Sequence, residues 1–234
     1  MLDFGFYNMD CMEGMKDIES NSIDLVLTDI PYDGVNNSDD SGGLRKLNKD
    51  KADEITFDLI KFLEEVYRIV KSTAIIFCGH GQMSTIYNYF ADKKNGTTRQ
   101  LIWEKTNPSP MNGEVIYLSG IENAIWFKKH GGTFNARCKN TVFRFPSGSS
   151  EIHPTEKNHE LLQCLIAQNS NVGDIVFDPC SGSGSTLICA NDMGRKVLGF
   201  ELNKKYYEKA KKRYDQTTSQ LNIFDVFGYN PYQE

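Results

Sequence analysis

The chain has 234 residues, a formal net charge of −5 and 39% hydrophobic residues. This size and composition suit one sizeable folded domain with at most a small appendage. No apolar run is long enough to span a membrane, and the first residues lack the basic start and apolar core of a signal peptide. The six cysteines form no CxxC pair, so we expect reduced core thiols in a cytoplasmic protein and no metal site.

Apolar runs of strand length alternate along the chain with stretches that have helical periodicity. In chain order, the pattern predicts strands over Phe4–Asn8, Ile23–Thr28, Ala74–Cys78, Leu101–Trp103, Ala124–Phe127, Asp174–Phe177 and Lys196–Phe200. It predicts helices over Phe57–Val70, Met83–Ala91, Glu156–Gln168, Thr186–Met193 and from a capping Asn203 to about Asp215. This alternation predicts an α/β fold with a mostly parallel twisted sheet and helices on both faces.

Two segments interrupt the alternation. Asp33–Asp53 is polar and rich in Gly and Asp, and Thr106–Ile152 is rich in Gly, Asn, Ser and Pro, as loops are. We therefore expect one catalytic and cofactor-binding domain built from residues 1–105 and 153–220. A small insertion would occupy residues 106–152, and residues 221–234 would form a C-terminal tail.

The ends of the predicted strands carry the candidate site, because ligands of parallel sheets bind beyond the carboxyl ends of the strands. One strand ends in the glycine turn FDPCSGSGST, Phe177–Thr186. It lacks the lysine of a phosphate loop and the third glycine of a dinucleotide motif, and Asp178 would repel a pyrophosphate. A cofactor with a cationic centre and an ammonium group fits better. Glu201, at the end of the next strand, can accept hydrogen bonds from ribose hydroxyls.

Four segments together resemble the β-group of S-adenosylmethionine-dependent amino-methyltransferases that act on DNA. FDPCSGSGST is similar to the DPFxGSGT motif, and TDIPY, Thr28–Tyr32, is similar to the catalytic [DNS]-P-P-[YFW] motif. HPTEKN, His153–Asn158, is similar to HPTQKP, and WEKTNPSP, Trp103–Pro110, is similar to a W-x-K segment. The order of these motifs implies a circularly permuted methyltransferase sheet, in which Phe4–Asn8 completes the half-sheet begun at Asp174.

The resemblance implies the roles of the site residues. Asp29 and the Ile30 carbonyl accept hydrogen bonds from an exocyclic amine, Pro31 fixes the turn, and Tyr32 stacks on a base flipped out of the duplex. The family has proline at position 30, and we expect the site to survive isoleucine there because a main-chain carbonyl is what the chemistry needs. The implied S-adenosylmethionine-binding residues are Asp10, Cys11, Asp29, Lys157, Asn158, Asp178, Pro179, Cys180, Ser181, Gly182, Ser183, Gly184, Glu201 and Leu202. For Asp10, a helix cap is an equal alternative.

Net charge argues mildly against a nucleic-acid partner, but the charge is uneven along the chain. Residues Asn123–Gly148 contain no acidic side chain. In the β-group, the segment between the catalytic motif and the HPTEKN-like motif recognises the target sequence. Residues 106–152 are therefore predicted to be the target-recognition insertion. A solvated surface is the open alternative. The predicted DNA-binding residues are Arg45, Lys128, Arg137, Lys139 and Arg144.

The sequence therefore predicts a site-specific DNA methyltransferase, Rossmann-like and of the restriction-modification type, from a bacterium or phage. Its predicted partner is double-stranded DNA, and a homodimer is left open. An aspartate at the first position of the catalytic motif favours adenine N6. Cytosine N4 methylation, methylation of RNA or a protein amide, and a catalytically inactive cofactor-binding regulator are the alternatives.

Overall fold

The computed structural model of the chain describes residues 3–32, 56–109, 113–115, 117–147 and 156–226. Over these ranges, strands alternate with helices as predicted. The strands are β1 (Gly5–Asn8), β2 (Ile23–Asp29), β3 (Val70–Cys78), β4 (Gly96–Lys105), β5 (Ile121–Lys129), β6 (Val142–Phe145), β7 (Ile175–Asp178) and β8 (Lys196–Glu201). The helices are α1 (Cys11–Lys16), α2 (Leu59–Ile69), α3 (His80–Ala91), α4 (His159–Asn169), α5 (Ser185–Asp192) and α6 (Lys204–Val226).

The strands form a single sheet in the order β1-β8-β7-β2-β3-β5-β4-β6. The neighbours from β1 to β3 all pair in parallel, β5 pairs antiparallel with both β3 and β4, and β6 returns parallel to β4. The first strand of the chain thus lies beside the last one, with Gly5 opposite Leu198 and Asn8 opposite Glu201. This mostly parallel, permuted sheet confirms the predicted fold class.

The central strands are buried on both faces because successive side chains of a strand point to opposite sides. In β2, Leu25 and Leu27 pack on one face and Val26 packs on the other. Helices α1, α2 and α3 cover the face that carries Val26, whereas α4, α5 and α6 cover the opposite face. Continuous apolar runs such as Ile23–Thr28 are what such doubly covered strands require.

The range predicted as an insertion contributes to this sheet. Strand β5 lies inside residues 106–152 and pairs along its length with both β3 and β4. The periodic, buried stretch of β5 therefore belongs with the catalytic sheet, and the loop-like composition of the rest of the range obscured this. Helix α6 likewise continues to Val226, into the residues predicted as a tail.

The cysteines are all free. Cys11, Cys78 and Cys189 are buried core thiols as predicted, but Cys138 is exposed, because it lies in the loop between β5 and β6 and not in an apolar element. Among the described residues, no helix is both long and apolar enough to cross a bilayer, and no group of three or more His, Cys, Asp or Glu is placed to hold a metal ion.

Candidate active site

A cavity of about 300 Å³ opens at the carboxyl ends of β1, β2, β7 and β8, where the sequence placed the site. The predicted residues that line it are Asp10, Cys11, Asp29, Ile30, Pro31, Tyr32, Lys157, Asp178, Pro179, Cys180, Ser181, Gly182, Ser183, Glu201 and Leu202. Other lining residues, which the sequence did not single out, include Met9, Phe57, Glu122, Glu156, Leu162, Thr186, Asn203 and Tyr206. The catalytic motif and the glycine turn therefore face one shared space.

The glycine turn joins β7 to α5 along the floor of this cavity. Gly182 and Gly184 have φ of 50° and 75°, in the left-handed region that favours glycine. Gly184 is the N-cap of α5 and does not line the cavity, so its role lies in the geometry of the turn and not in the contact predicted for it. Gly199, on the neighbouring strand, admits no side chain, because a Cβ there would lie 2.4 Å from Leu187 Cδ1.

Two carboxylates mark the ends of β7 and β8. Asp178 is buried and accepts a hydrogen bond from the Cys180 backbone N–H at 3.1 Å. Burial raises the pKa of Asp178 to about 7, although hydrogen bonds oppose the shift. Glu201 accepts from the backbone N–H groups of Gly182 at 2.9 Å and Asn203 at 2.7 Å, and burial raises its pKa against these two bonds. A carboxylate has about four acceptor positions, so Glu201 retains capacity for ribose hydroxyls.

Two predicted cofactor residues act as helix caps. Asp10 caps α1, its Oδ1 accepting from the N–H groups of Met12 at 2.8 Å and Glu13 at 3.2 Å, and it also lines the cavity. Asn158 caps α4 by accepting from the Leu161 N–H at 3.0 Å, and it does not line the cavity. The cofactor contact predicted for Asn158 is therefore not supported, because its side chain is used by the helix.

The catalytic motif ends β2 in a cluster of partly buried charges. The Tyr32 hydroxyl donates to Asp29 Oδ1 at 2.8 Å, and the Lys157 ammonium bonds Asp29 Oδ2. The same ammonium lies 2.9 Å from Glu122 Oε2, and Lys105 Nζ lies 2.7 Å from Glu122 Oε1. Burial raises the pKa of Asp29, with Lys157 opposing the shift, and burial together with Asp29 raises the pKa of Tyr32 well above its ordinary value.

Glu122 was missed because its position depends on how the strands pair. It is the second residue of β5, and the antiparallel pairing with β3 sets Asn123 opposite Cys78, at the carboxyl end of β3. This pairing places Glu122 near Asp29, at the edge of the sheet formed by the carboxyl ends of β2 and β3, which we call the catalytic edge. The only signal in the sequence is an acidic residue at the start of the apolar run IENAIWF. An ordinary solvated strand end has the same pattern, so this signal does not indicate a site residue. Lys157 was predicted to contact the cofactor, but its ammonium bridges Asp29 and Glu122.

Ile30 has a structural role that the sequence reasoning did not assign. Its side chain is 1% exposed and packs in the core beneath α1, α2 and α3, and its N–H donates to Phe77 O at 3.3 Å. The next residue is also anchored, since Pro31 O accepts from Gln82 Nε2 at 2.8 Å and Gln82 Oε1 accepts from the Gly79 N–H at 2.9 Å. The turn is thus fixed from both β3 and the start of α3.

Changing Ile30 to the family's proline will destabilise this protein. Proline removes the N–H that bonds Phe77 O and leaves part of the buried isoleucine volume empty. We expect the free energy of unfolding to fall by about 1–3 kcal/mol while activity below the unfolding temperature persists. Urea unfolding of both proteins measures the first quantity, and initial methylation rates at low temperature measure the second. An unchanged stability would contradict the core role of the isoleucine.

Two of the predicted DNA-binding cations, Lys128 and Arg144, lie at opposite ends of the sheet's strands. Because β5 runs antiparallel to β3, Lys128 lies opposite Thr73 near the start of β3, at the edge away from the cavity. Its ammonium donates to the carbonyls of Lys129 and Gly132, so a DNA contact at the catalytic edge is not supported for Lys128. Arg144 lies in β6 near the catalytic edge and pairs with Glu104 at 2.9 Å. Arg137 and Lys139 are exposed in the loop after β5, and Arg45 lies outside the described residues.

The permuted sheet, the glycine turn and the acid-lined cavity together define a methyltransferase-class α/β enzyme. A sequence profile described as DNA methylase, for N6 and N4 methyltransferases, matches residues 23–212. The chain therefore belongs to this family of DNA amino-methyltransferases, as the motifs predicted.

Individual relatives agree with this assignment. The chain is 30% identical over 243 residues to the type II methyltransferase M.HpaI of Haemophilus parainfluenzae, covering 92% of this chain and 74% of that one. It is 30% identical over 242 residues to M.HinfI of Haemophilus influenzae, covering 87% of this chain and 66% of that one. The M1.HpyAVI–SAM complex superposes with a TM-score of 0.67 at 25% identity, over 89% of this chain and 98% of that one. The cytosine-N4-specific PvuII DNA methyltransferase, 15% identical, shares the fold with a TM-score of 0.69 over 93% of this chain and 92% of that one.

Proposed function

We propose that this protein transfers a methyl group from S-adenosylmethionine to the exocyclic amine of a base flipped out of double-stranded DNA, with adenine N6 as the favoured target. The observation that carries the proposal is the shared cavity, in which Asp29 and Tyr32 face the same space as the glycine turn and Glu201. A methyl acceptor held at the first pair would lie beside a donor held at the second.

The residues of the cavity fit the cofactor. Its floor carries the buried carboxyl of Asp178 and the carboxylate of Glu201, which suit a ligand with an ammonium group, a sulfonium centre and ribose hydroxyls. The turn at Gly182–Gly184 brings backbone close to the cavity without side chains in the way. When bound, S-adenosylmethionine supplies an electrophilic methyl group. Asp10, Asp178, Gly182 and Glu201 are the residues that would hold it.

The catalytic corner would act on the amine. An exocyclic amine is a weak nucleophile because its lone pair is delocalised into the ring. Hydrogen bonds from the amine N–H groups to Asp29 and to the Ile30 carbonyl favour the positive charge that develops on nitrogen as the new bond forms. The raised pKa of Asp29 suits a carboxylate that then takes the proton lost by the methylated amine. Tyr32 can cover the flipped base and, through its hydroxyl, orients Asp29.

The choice of adenine rests on the aspartate at the first motif position, since cytosine N4 methylation needs the same acceptors. The relatives are type II methyltransferases of bacteria, which supports a restriction-modification role in the cytoplasm of a bacterium or a phage host. The family resemblance leaves a homodimer open, and light scattering of the purified protein measures the oligomeric state. The parts of residues 106–152 outside β5 are proposed to contact the target sequence, with Arg137, Lys139 and Arg144 as the candidate cations.

The test is methyl transfer by the purified protein. We expect label from S-adenosylmethionine to enter unmethylated mixed-sequence DNA, and digestion followed by mass spectrometry to return 6-methyladenine. Recovery of 4-methylcytosine would replace the proposed base. Label found only in RNA or protein would overturn DNA as the substrate. Cofactor binding without methyl transfer to any substrate would favour the catalytically inactive, cofactor-binding regulator. Expression in methylation-free cells, followed by sequencing of modified bases, then gives the recognised site.

A further inference from the structure

Asp29 meets the cavity with both carboxylate oxygens already engaged. Oδ1 accepts from the Tyr32 hydroxyl, and Oδ2 is bonded by the Lys157 ammonium. The Lys157 side chain is only 8% exposed, so water screens its charge little. A cation at this position has two effects on an incoming amine: it neutralises the charge of the carboxylate and so weakens it as an acceptor for the amine N–H, and it repels the positive charge that develops on the nitrogen. The corner therefore needs something that counteracts Lys157.

Glu122 is placed to do this. Its Oε2 lies 2.9 Å from Lys157 Nζ and 3.5 Å from the Tyr32 hydroxyl. Although burial alone would raise the pKa of Glu122, Lys157 and Lys105 hold that pKa below its ordinary value, so the group is an anion at neutral pH. The rings of Phe77 and Tyr32, with centroids 5.2 Å and 5.7 Å from the ammonium, provide further attraction for the cation.

The charges of this corner balance only when Glu122 is present. Asp29 and Glu122 contribute two negative charges, and Lys157 and Lys105 contribute two positive ones, within a chain of direct ion pairs. Neutralising Glu122 leaves one excess cation beside the reacting amine. In a partly buried site, such an excess acts on a cationic transition state far more than it would in water.

We propose that Glu122 is a positioning residue for the methyl-transfer reaction: it retains Lys157 when the target base enters, and so releases an oxygen of Asp29 to accept the amine N–H. Lys157 keeps Asp29 paired in the absence of DNA and moves toward Glu122 when the amine takes its place. The inference rests on the proposed function, and it assigns residues that the catalytic motif does not contain.

A double-mutant cycle tests the proposal, using Glu122→Gln, Lys157→Met and the two combined. In Glu122→Gln, the ammonium remains on Asp29, and we expect kcat to fall about 10- to 100-fold. Both KM for DNA and cofactor affinity should stay within about threefold of the original, because in this proposal Glu122 acts on the reaction through Lys157. In the double variant no ammonium competes for Asp29, so kcat should recover at least about fivefold relative to Glu122→Gln.

Lys157→Met alone leaves two neighbouring carboxylates without the cation between them. Glu122 raises the pKa of Asp29 and Lys157 lowers it, so without the ammonium the pKa of Asp29 rises and the rising limb of the kcat–pH profile should move to higher pH. The matched control is Glu65→Gln, another partly exposed ion-paired glutamate, which bonds Arg68 at 2.6 Å on α2, outside the cavity. It should leave kcat and the pH profile unchanged.

The outcomes separate the inference from the proposed function. If the unmodified protein methylates DNA and Glu122→Gln retains full kcat, Glu122 has no positioning role. A double variant less active than either single variant, with losses that add, would indicate a structural role only and would overturn the proposal as well. If the unmodified protein transfers no methyl group to any DNA while binding S-adenosylmethionine, the proposed function fails instead. Thermal melts with and without cofactor establish that each variant is folded.

Discussion

Replacing Asp29 with alanine will reduce methyl transfer to DNA by at least about a thousandfold. The change removes the acceptor for the target amine, and it leaves the buried Lys157 ammonium beside the site with Glu122 as its remaining carboxylate. Asp29→Asn keeps an oxygen that can accept a hydrogen bond, and asparagine is one of the residues that the family's motif allows at this position, so it should lose less activity than Asp29→Ala. Single-turnover rates with labelled S-adenosylmethionine measure the loss, and equilibrium binding should show cofactor affinity within about threefold of the original.

Asp24→Asn is the matched control for this experiment. Asp24 lies in the same strand, β2, is partly buried and pairs with Lys71 at 2.9 Å, but it sits near the start of the strand, away from the cavity. It should retain the original rate. Equal transfer by Asp29→Ala and the unmodified protein would remove Asp29 from the mechanism.

Replacing Asp178 with asparagine will make the protein more stable and a poorer binder of its cofactor. With the folded-state pKa at about 7 and an unfolded value near 4, the folded state holds the extra proton between those values. Stability of the original protein therefore falls as pH rises through this window, and the penalty is fully present above about pH 7. Asparagine removes the penalty, so the free energy of unfolding at about pH 8 should rise by up to about 4 kcal/mol.

The effect of the same change on binding has the opposite sign. A cationic ligand favours the ionised carboxyl, so the affinity of the original protein for S-adenosylmethionine should increase from about pH 5.5 to about pH 7.5. Asp178→Asn should lose this dependence and bind about 10- to 100-fold more weakly near neutral pH. Calorimetric titration across this range measures both quantities. Asp192→Asn, which alters another carboxyl whose pKa burial raises but which lies outside the cavity lining, should leave affinity unchanged. A pH-independent affinity in the original protein would contradict the charge role of Asp178.

The features that could be predicted from the sequence are those that depend only on a buried strand and on the residues that directly follow it. Asp29, Asp178 and Glu201 each end a buried parallel strand, and parallel strands bring such ends together without any detail of packing. The pairing of β1 with β8 followed in the same way from the order of the motifs. These local patterns were sufficient for the fold class and for most of the cavity lining.

Features that depend on strand direction or on burial of single side chains were not predictable in this way. The run IENAIWFKK contains no pattern that predicts its antiparallel pairing in the sheet. That antiparallel direction places Glu122 at the catalytic edge of the sheet and Lys128 at the opposite edge. The motif comparison predicted a role only for the main-chain carbonyl of Ile30, because the chemistry uses that atom. The Ile30 side chain packs in the core, and the motif carries no information about that burial. Asn158 was read from its motif, although a helix cap uses its side chain.

The charge cluster at the catalytic corner also bears on how the enzyme comes into being. Its three central members, Asp29, Glu122 and Lys157, are far apart in sequence, and a separation of 128 positions divides Asp29 from Lys157. Contacts of such long sequence separation form late, because the intervening chain must first be ordered. A chain in which β5 has not yet paired with β3 would hold Asp29 without Glu122 in place. The charge cluster is therefore complete only once the sheet has assembled around it.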